Sequence, residues 1–290
     1  MGEAGGVRLL LVANAKSGRD TDPAALAAAL RERGADVELH PIDRLADAGD
    51  AAGRADRVVV AGGDGSIGVA ARLAAGAGTP LAVVPSGTAN DFARALELPT
   101  DHDAALDLAA DADAASTRVE LLLADDRPFV NAASTGLAVA AAHRARPLKP
   151  RLGPLAYAVG ALRAGLTAHP LPLRVTADGE EVFAGEAWHV IVGGTGAFGG
   201  GSRLGRADLR DEMLDVVLVE RGSRVTLVRR AWGMRRGTLE GQRGVRHWRA
   251  HDVTIDVPAG TEFNVDGEIC RLEPATFTVQ PGGVQVIVAR

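Results

Sequence analysis

The sequence has a single cysteine and no long apolar run. Cys270 stands alone among 290 residues, so no internal disulfide can form and a reducing cytoplasm is the simplest expectation. The first apolar run, residues 9–13, is too short for the apolar core of a signal peptide or for a membrane span. The sequence therefore predicts a cytoplasmic protein without a permanent membrane anchor.

An excess of positive charge is also lacking. The formal net charge is -5 at pH 7, and general nucleic-acid binding needs a basic surface, so no nucleic-acid partner is expected. Residues 201–250 differ from this average, because they contain twelve arginines and six acidic residues. Peripheral contact with an anionic membrane surface is one interpretation of this segment, and solvated arginines scattered around strands and turns are the other.

The chain contains enough apolar residues to form a hydrophobic core. Hydrophobic residues make up 47% of the chain and charged residues 24%, and the length suits two domains of ordinary size. Residues 1–120 repeat a pattern of apolar run, loop of small residues and alanine-rich helical stretch. Three such units predict an α/β domain with a parallel sheet covered by helices.

The three loops of these units are NAKSG (14–18), GGDGS (62–66) and PSGTAN (85–90). Loops that leave the carboxyl ends of parallel strands lie on one edge of the sheet, where ligands bind, so we expect the three to converge. They offer main-chain N–H groups that no bulky side chain shields, and two of them precede helix N-termini, which attract phosphate. The pattern favours a phosphate site, and turns that need only glycine's conformational freedom are the alternative.

Asp64 is a carboxylate in the middle of the GGDGS loop. Its charge repels phosphate unless Mg²⁺ lies between them, so the residue favours a metal–nucleotide complex over a bare phosphate. Ser86 and Thr88 can donate hydrogen bonds to phosphate oxygens. Asn90 can either cap the next helix or contact the nucleotide.

After about residue 120 the pattern changes to short β-like runs, which predict a mainly antiparallel β domain over residues 121–290. Turn dipeptides such as Asp178-Gly179 and Pro281-Gly282 separate the runs, and one helical segment, residues 154–166, interrupts them. The last strand could pack back on the first domain. The predicted fold class is thus α/β plus β.

Three further motifs allow more than one interpretation. Gly194, Gly196 and Gly199 have G-x-G-x-x-G spacing, but no helix-forming sequence follows, so we reject a dinucleotide site. Residues 208–215 contain four acidic residues, which indicate either a solvated turn or an oxygen-ligand metal site. NVDGEI, residues 264–269, is typical of a hairpin turn, and its two carboxylates could alternatively accept a hydroxyl proton.

Together these segments resemble the diacylglycerol kinase catalytic family, which includes bacterial diacylglycerol kinases and the sphingosine and ceramide kinases. NAKSG is similar to the family's Asn-Pro-x-Ser-Gly loop, GGDGS to its Gly-Gly-Asp-Gly-Thr loop, and PSGTANDFAR to its most distinctive signature. NAASTGL, GPLAYAVGALR, VDGE and PGGVQVIV follow in family order, so the resemblance covers nearly the whole chain. It implies ATP-dependent, Mg²⁺-assisted phosphorylation of a lipid hydroxyl. It also implies a nucleotide-binding α/β domain, a C-terminal β-sandwich and a site in the cleft between them.

The resemblance assigns a role to each matching residue. Asp64 would lie by the catalytic Mg²⁺, and Asp266 and Glu268 would be the general base and its support. Asp208, Asp211 and the carbonyl of Met213 would bind a structural Mg²⁺. The candidates for ATP binding are Asn14, Ala15, Lys16, Ser17, Gly18, Gly62, Gly63, Gly65, Ser66, Ser86, Gly87, Thr88 and Asn90.

Five positions depart from the family's pattern. Ala15 replaces a proline, Ser66 replaces a threonine, and Glu212 replaces the glycine of an Asp-Gly turn. The pair Gly68 and Val69 stands where the family often has Asn-Glu. An NAD kinase-like enzyme and a catalytically weak nucleotide-binding relative therefore stay open as alternatives. The implied partner is a lipid acceptor, and a homodimer is compatible with the sequence.

Overall fold

The computed structural model describes residues 6–13, 22–145, 147, 155–195, 209–227, 230 and 242–290. The chain divides into two compact units. The first comprises Met1–Leu121, Pro128–Val130 and Gln280–Arg290, and the second comprises Leu122–Arg127 and Asn131–Val279.

Helices and strands alternate in the first part of the chain, and strands dominate the second. The helices are α1 (Pro23–Glu32), α2 (Gly49–Arg54), α3 (Asp64–Ala77), α4 (Asp91–Ala95), α5 (His102–Ala110), α6 (Leu137–Ala145) and α7 (Leu155–Thr167), with a 3-10 helix over Ile42–Asp47. The strands are β1 (Arg8–Ala13), β2 (Asp36–Pro41), β3 (Arg57–Gly62), β4 (Leu81–Pro85), β5 (Ala115–Ala124), β6 (Arg127–Phe129), β7 (Ala132–Gly136), β8 (Leu171–Ala177), β9 (Glu180–Gly193), β10 (Leu214–Glu220), β11 (Val245–Ala250), β12 (Asp252–Asp256), β13 (Glu262–Val265), β14 (Glu268–Arg271) and β15 (Ala275–Val288).

A parallel sheet forms the centre of the first unit. Its strand order is β2-β1-β3-β4, and the end of β15 adds to it in parallel, with Val286 opposite Leu81. Every residue of β3 and β4 is buried, as expected of strands that are covered on both faces. Leu30 of α1 and Leu106 of α5 pack in one core cluster with β-strand residues. The predicted parallel sheet is confirmed.

The helix ends of this unit follow the local sequence. Pro23 lies in the first turn of α1, where Asp22 Oδ1 accepts a hydrogen bond from the N–H of Ala24 at 3.1 Å. Gly34 follows α1 in a left-handed conformation (φ 85°), which is typical of a glycine after a helix end. Helix α3 continues through Gly76 to Ala77 and is ended by Gly78, which has φ 68°.

The second unit is an antiparallel β structure. Its strand order is β14-β13-β7-β9-β8-β12-β15, and β10 pairs with β9 and β11. The long strand β9 pairs with β8 along its first half and with β7 and β10 along its second half. Phe263 and Phe277 pack in the core, with ring centroids 6.0 Å apart. The prediction of a mainly antiparallel β domain is confirmed.

One of the two predicted turns is correct and the other is wrong. Asp178 and Gly179 have φ of 48° and 83° and join β8 to β9, as expected. Pro281 and Gly282 make no turn, since β15 continues through them. A Cβ atom at Gly283 would lie 1.8 Å from the main-chain oxygen of Val119. Glycine is therefore required by a close backbone approach within the strand.

Several helices and strands were not predicted from the sequence. β2 has a single buried residue, Val37, so its sequence lacks an apolar run. β5 and β11 were also not predicted, and β11 carries charged and polar side chains along most of its length. α6 lies before the predicted helix, which is confirmed as α7. Within the part of the chain that is described, no helix is long and apolar enough to cross a membrane.

Candidate active site

The GGDGS and PSGTAN loops meet at the carboxyl ends of β3 and β4. Ser86 N–H donates a hydrogen bond to the carbonyl of Gly62 at 3.0 Å. A Cβ atom at Gly87 would lie 2.7 Å from Gly63 Cα, so any other residue would push the two loops apart. These two loops therefore converge as expected. The third loop, Asn14, Ala15, Lys16, Ser17 and Gly18, lies outside the described residues.

Asp64 is the first residue of α3, and its carboxylate reaches the start of α4. Oδ1 accepts a hydrogen bond from the N–H of Phe92 at 3.2 Å, and Oδ2 accepts one from the N–H of Asp91 at 3.4 Å. These N–H groups belong to the first turn of α4, which has no partners for them within the helix. Asp64 therefore caps a helix in addition to lying in the glycine loop.

Asn90 occupies the N-cap position of α4 but does not cap it. Its φ is 51°, in the left-handed region, and its side chain makes no capping hydrogen bond. Instead, Asn90 Oδ1 accepts a hydrogen bond from the N–H of Gly87 at 2.9 Å and so closes the PSGTAN loop on itself. The capping interpretation of Asn90 is wrong because Asp64 supplies the acceptor.

The donors expected of a phosphate site surround this contact. Gly65 and Ser66 lie in the first turn of α3, where the helix dipole favours an anion. Ser86 Oγ is buried and has no hydrogen-bond partner within the described part of the chain, and Thr88 is exposed. A buried hydroxyl without a partner is costly. An oxygen-rich ligand is one group that could remove that cost.

Asp266 lies at the tip of the β13–β14 hairpin. Asp266 and Gly267 have φ of 46° and 91°, the conformation of a two-residue Asp-Gly turn. Asp266 Oδ1 accepts hydrogen bonds from the N–H of Asn131 at 3.0 Å and of Ala132 at 3.1 Å. The N–H of Asp266 donates in return to the carbonyl of Ala132 at 3.0 Å. The predicted hairpin is confirmed, and its aspartate is held by main-chain groups next to β7.

Glu268 has a different environment from Asp266. It begins β14, its side chain is 61% exposed, and it forms an ion pair with Arg127. Arg127 was not singled out in the sequence, where it follows the turn Asp125-Asp126 without any motif. Cys270 lies on the same strand, and its partial burial raises the pKa of its thiol, so the thiol stays protonated at neutral pH.

Comparisons with known proteins agree with these motifs. Residues 8–122 match the model of the diacylglycerol kinase catalytic domain, and residues 131–288 match the YegS C-terminal NAD kinase beta sandwich-like domain. The chain is 30% identical over 274 residues to a diacylglycerol kinase of Mycobacterium tuberculosis. The aligned region covers 91% of this chain and 88% of that protein. This chain belongs to the diacylglycerol kinase family.

Further relatives give the same assignment. A diacylglycerol kinase of Staphylococcus aureus strain Newman is 30% identical over 282 residues, covering 93% of this chain and 89% of that protein. The crystal structure of a diacylglycerol kinase from Bacillus anthracis strain Sterne is 22% identical and has a TM-score of 0.76, covering 99% of this chain and 98% of that chain. The resemblance to the diacylglycerol kinase family and the predicted fold class, α/β plus β, are thereby confirmed. Members of the diacylglycerol kinase family are phosphotransferases with an alcohol group as acceptor, and this chain is an enzyme of that class.

The departure from the family pattern at Gly68 and Val69 has a structural reason at the first position. A Cβ atom at Gly68 would lie 2.9 Å from the main-chain oxygen of Pro128 and 3.2 Å from Phe129 Cα. Helix α3 therefore approaches the backbone so closely that an asparagine cannot enter without a shift. Val69 is 40% exposed, and nothing in the structure explains its choice.

His189 is a buried titratable group that the sequence did not reveal. It lies on β9, and its Nδ1–H donates to the carbonyl of Thr135 at 2.7 Å. Burial lowers the pKa of His189 to about 4, so the imidazole is neutral at neutral pH. Its hydrogen bond joins β9 to the neighbouring strand β7, which makes a structural role the direct interpretation.

The structural Mg²⁺ site implied for the diacylglycerol kinase family lies partly within the described residues, at Asp211 and Met213. Asp208 lies outside the described residues. Asp211 Oδ1 accepts a hydrogen bond from the N–H of Met213 at 3.1 Å, and Asp211 Oδ2 contacts the guanidinium of Arg249. The cationic side chain of Arg249 thus contacts the Asp211 carboxylate, which a metal ion would need as a ligand. This contact argues against metal binding by Asp211, and the site formed by Asp208, Asp211 and Met213 stays a prediction.

Proposed function

We propose that this chain transfers the γ-phosphoryl group of ATP to a hydroxyl group of a lipid with the assistance of Mg²⁺. The observation that carries the proposal is the contact between the GGDGS and PSGTAN loops at the N-terminus of α3, in a member of the diacylglycerol kinase family. Glycines at the contact leave room for phosphate, and the free N–H groups of the helix end favour its charge.

The first unit supplies the proposed nucleotide site. The main-chain N–H of Gly65 and the hydroxyls of Ser66 and Ser86 would donate hydrogen bonds to phosphate oxygens. Residues 14–18 and 85–90 complete the proposed ATP-binding set. In phosphoryl transfer such groups act mainly by positioning the phosphates and neutralising their charge.

Asp64 is the residue proposed to hold the catalytic Mg²⁺. Each of its carboxylate oxygens accepts a single main-chain N–H, which leaves lone pairs for a metal ion or for a metal-bound water. The residue therefore fits the group. When bound, Mg²⁺ would offset the negative charge of the phosphates. Asp64 itself contributes a fixed carboxylate, because both oxygens are anchored to α4.

Asp266 is the residue proposed as general base, with Glu268 in support. Two main-chain N–H groups fix the orientation of the Asp266 carboxylate, which would accept the hydroxyl proton. Glu268 forms an ion pair with Arg127, and both side chains are partly exposed. Because its carboxylate already has a charged partner, Glu268 is assigned the supporting role.

Membrane contact through the arginine-rich segment has less support than the rest. Arg221, Arg246 and Arg249 form ion pairs with acidic residues of the chain itself, namely Glu186, Glu220 and Asp211. Their charge is thereby largely compensated within the second unit. We therefore keep peripheral membrane binding and a homodimer as predictions outside the proposed function.

The experiment that tests the proposal is an assay of ATP consumption with Mg²⁺ across several acceptors. The panel contains diacylglycerol, a sphingoid base, ceramide, a polyprenol and NAD. Turnover with a lipid and none with NAD supports the proposal, and lipid extraction identifies the phosphorylated product. Tight ATP binding without turnover on any acceptor would favour a nucleotide-binding relative with little catalytic activity.

NAD is included because a second candidate has a specific basis. The C-terminal family model is described as NAD kinase beta sandwich-like, and it covers residues 131–288. Phosphorylation of NAD without phosphorylation of any lipid would replace the lipid kinase by an NAD kinase-like enzyme.

A further inference from the structure

The acidic turn before β10, which contains Asp211 and Glu212, contacts the basic strand β11 through side chains. Asp215 and Arg249 are directly opposite each other in the antiparallel β10–β11 pair, and opposite charges at such positions attract. Arg249 Nε lies 3.8 Å from Asp215 Oδ1, and the same guanidinium contacts Asp211 Oδ2. One arginine side chain therefore bridges both carboxylates.

Two histidines extend this contact. His247 lies two residues before Arg249 on β11, and its Nε2 is 2.6 Å from Asp215 Oδ1. His251 Nδ1–H donates to the carbonyl of Glu212 at 2.8 Å. That bond fixes Glu212, which holds a left-handed conformation (φ 58°) without the help of glycine.

Burial makes the charge compensation necessary. The side chain of Asp215 is 2% exposed, whereas those of Asp211 and Arg249 are 29% and 42% exposed. A carboxylate taken out of water needs a cation or several donors to stay ionised. In this chain His247 and Arg249 both approach Oδ1 of Asp215, and the buried Oδ2 has no hydrogen-bond partner within the described residues.

From these contacts we propose that the guanidinium of Arg249 takes the place of the structural Mg²⁺ in this chain. Both uses require the same Asp211 carboxylate, whose Oδ1 already accepts the Met213 N–H and whose Oδ2 contacts Arg249. The positive charge of a guanidinium in contact with Asp211 also repels a divalent cation. The acidic turn consequently holds its conformation without a bound metal ion. The inference concerns the turn alone and does not depend on the proposed function.

The first test is thermal unfolding in EDTA and in MgCl₂ at matched ionic strength, without nucleotide. It is made on the Asp64→Asn variant of the full chain, so that Mg²⁺ at the glycine loop does not contribute. The proposal predicts the same Tm in both buffers. A saturable rise in Tm with Mg²⁺ would overturn it.

The second test is a double-mutant cycle on Tm in EDTA. Arg249→Gln should lower Tm by about 5 °C, and Asp211→Asn should cost much less in the Arg249→Gln background than alone. The matched control is Arg246→Gln on the same strand, which pairs with Glu220 and should combine additively with Asp211→Asn. Additive effects of Arg249→Gln and Asp211→Asn would contradict the proposed pair.

Discussion

At the scale of single residues, Asp64 has two separable roles. Its carboxylate caps α4 through the N–H groups of Asp91 and Phe92, and it is also the residue proposed to hold Mg²⁺. The sequence could reveal the second role, since a carboxylate within a phosphate loop is unusual. It could not reveal the first, because Asp64 and Phe92 are 28 residues apart and meet only through the folded sheet.

Substitutions at Asp64 distinguish the two roles. Asp64→Asn keeps one of the two oxygens that accept an N–H but loses the charge, so Tm should fall less than in Asp64→Ala, and turnover should fall by about 100-fold or more. Asp64→Ala should show the same loss of turnover and also lose about 1 kcal/mol of unfolding free energy, because the cap is removed. If Asp64→Asn keeps full turnover, Asp64 is a helix cap only.

His189 makes stability depend on pH in a defined interval. Because its pKa is lowered from 6.5 to about 4 by burial, the native state binds fewer protons than the unfolded state between these values. The contribution of His189 to stability is complete above pH 6.5 and is lost as the pH falls toward 4, by about 1.4 kcal/mol per pH unit at most.

Urea unfolding at several pH values tests this dependence. His189→Gln keeps a side-chain N–H for the Thr135 carbonyl but does not titrate, so its unfolding free energy should decline less between pH 6.5 and pH 4 than that of the unaltered chain. Equal slopes for the two proteins in that interval would show that His189 is not buried as a neutral group.

At the scale of elements, helix α3 carries the clearest departure from the family. Its apolar and alanine-rich pattern predicted a helix after the glycine loop, and the structure confirms one over Asp64–Ala77. The pattern could not show why Gly68 is present. That reason lies in the close approach of the Pro128 carbonyl, which comes from a distant part of the sequence.

Two glycines of α3 offer a matched comparison. Gly68→Ala should destabilise the chain by about 1–3 kcal/mol, because the new Cβ would lie 2.9 Å from Pro128 O. Gly76→Ala should stabilise it by about 0.5–1 kcal/mol, since no atom lies within 4 Å of the new Cβ and alanine favours the helix. Urea unfolding measures both, and effects of the same sign would contradict the proposed packing.

At the scale of the whole molecule, the strongly patterned segments were predictable and the charged ones were not. The parallel strands β1 and β3 are apolar after an initial arginine, and β4 is apolar along its whole length. The pair Asp178-Gly179 is typical of a two-residue hairpin turn. Strands β2 and β11 carry polar residues, and neighbouring strands stabilise them through register and ion pairs that a single sequence window does not contain.

The candidate site shows the same division. Motifs identified Asp64, Ser86 and Asp266, because their loops have residue types that phosphate or proton transfer requires. Arg127 and Arg249 belong to no motif, and their partners Glu268 and Asp211 lie far away in the sequence. Such ion pairs become visible only when the strands are in register.

The most direct test of the proposed lipid kinase is transfer of labelled γ-phosphoryl from ATP to an extracted lipid. The assay uses Mg²⁺ with diacylglycerol or sphingosine in mixed micelles, and compares the unaltered chain with Asp266→Asn. We expect labelled lipid from the unaltered chain, and a loss of about 100-fold or more in Asp266→Asn with ATP affinity unchanged. The absence of labelled lipid from the unaltered chain, or equal rates in the two proteins, would contradict this account.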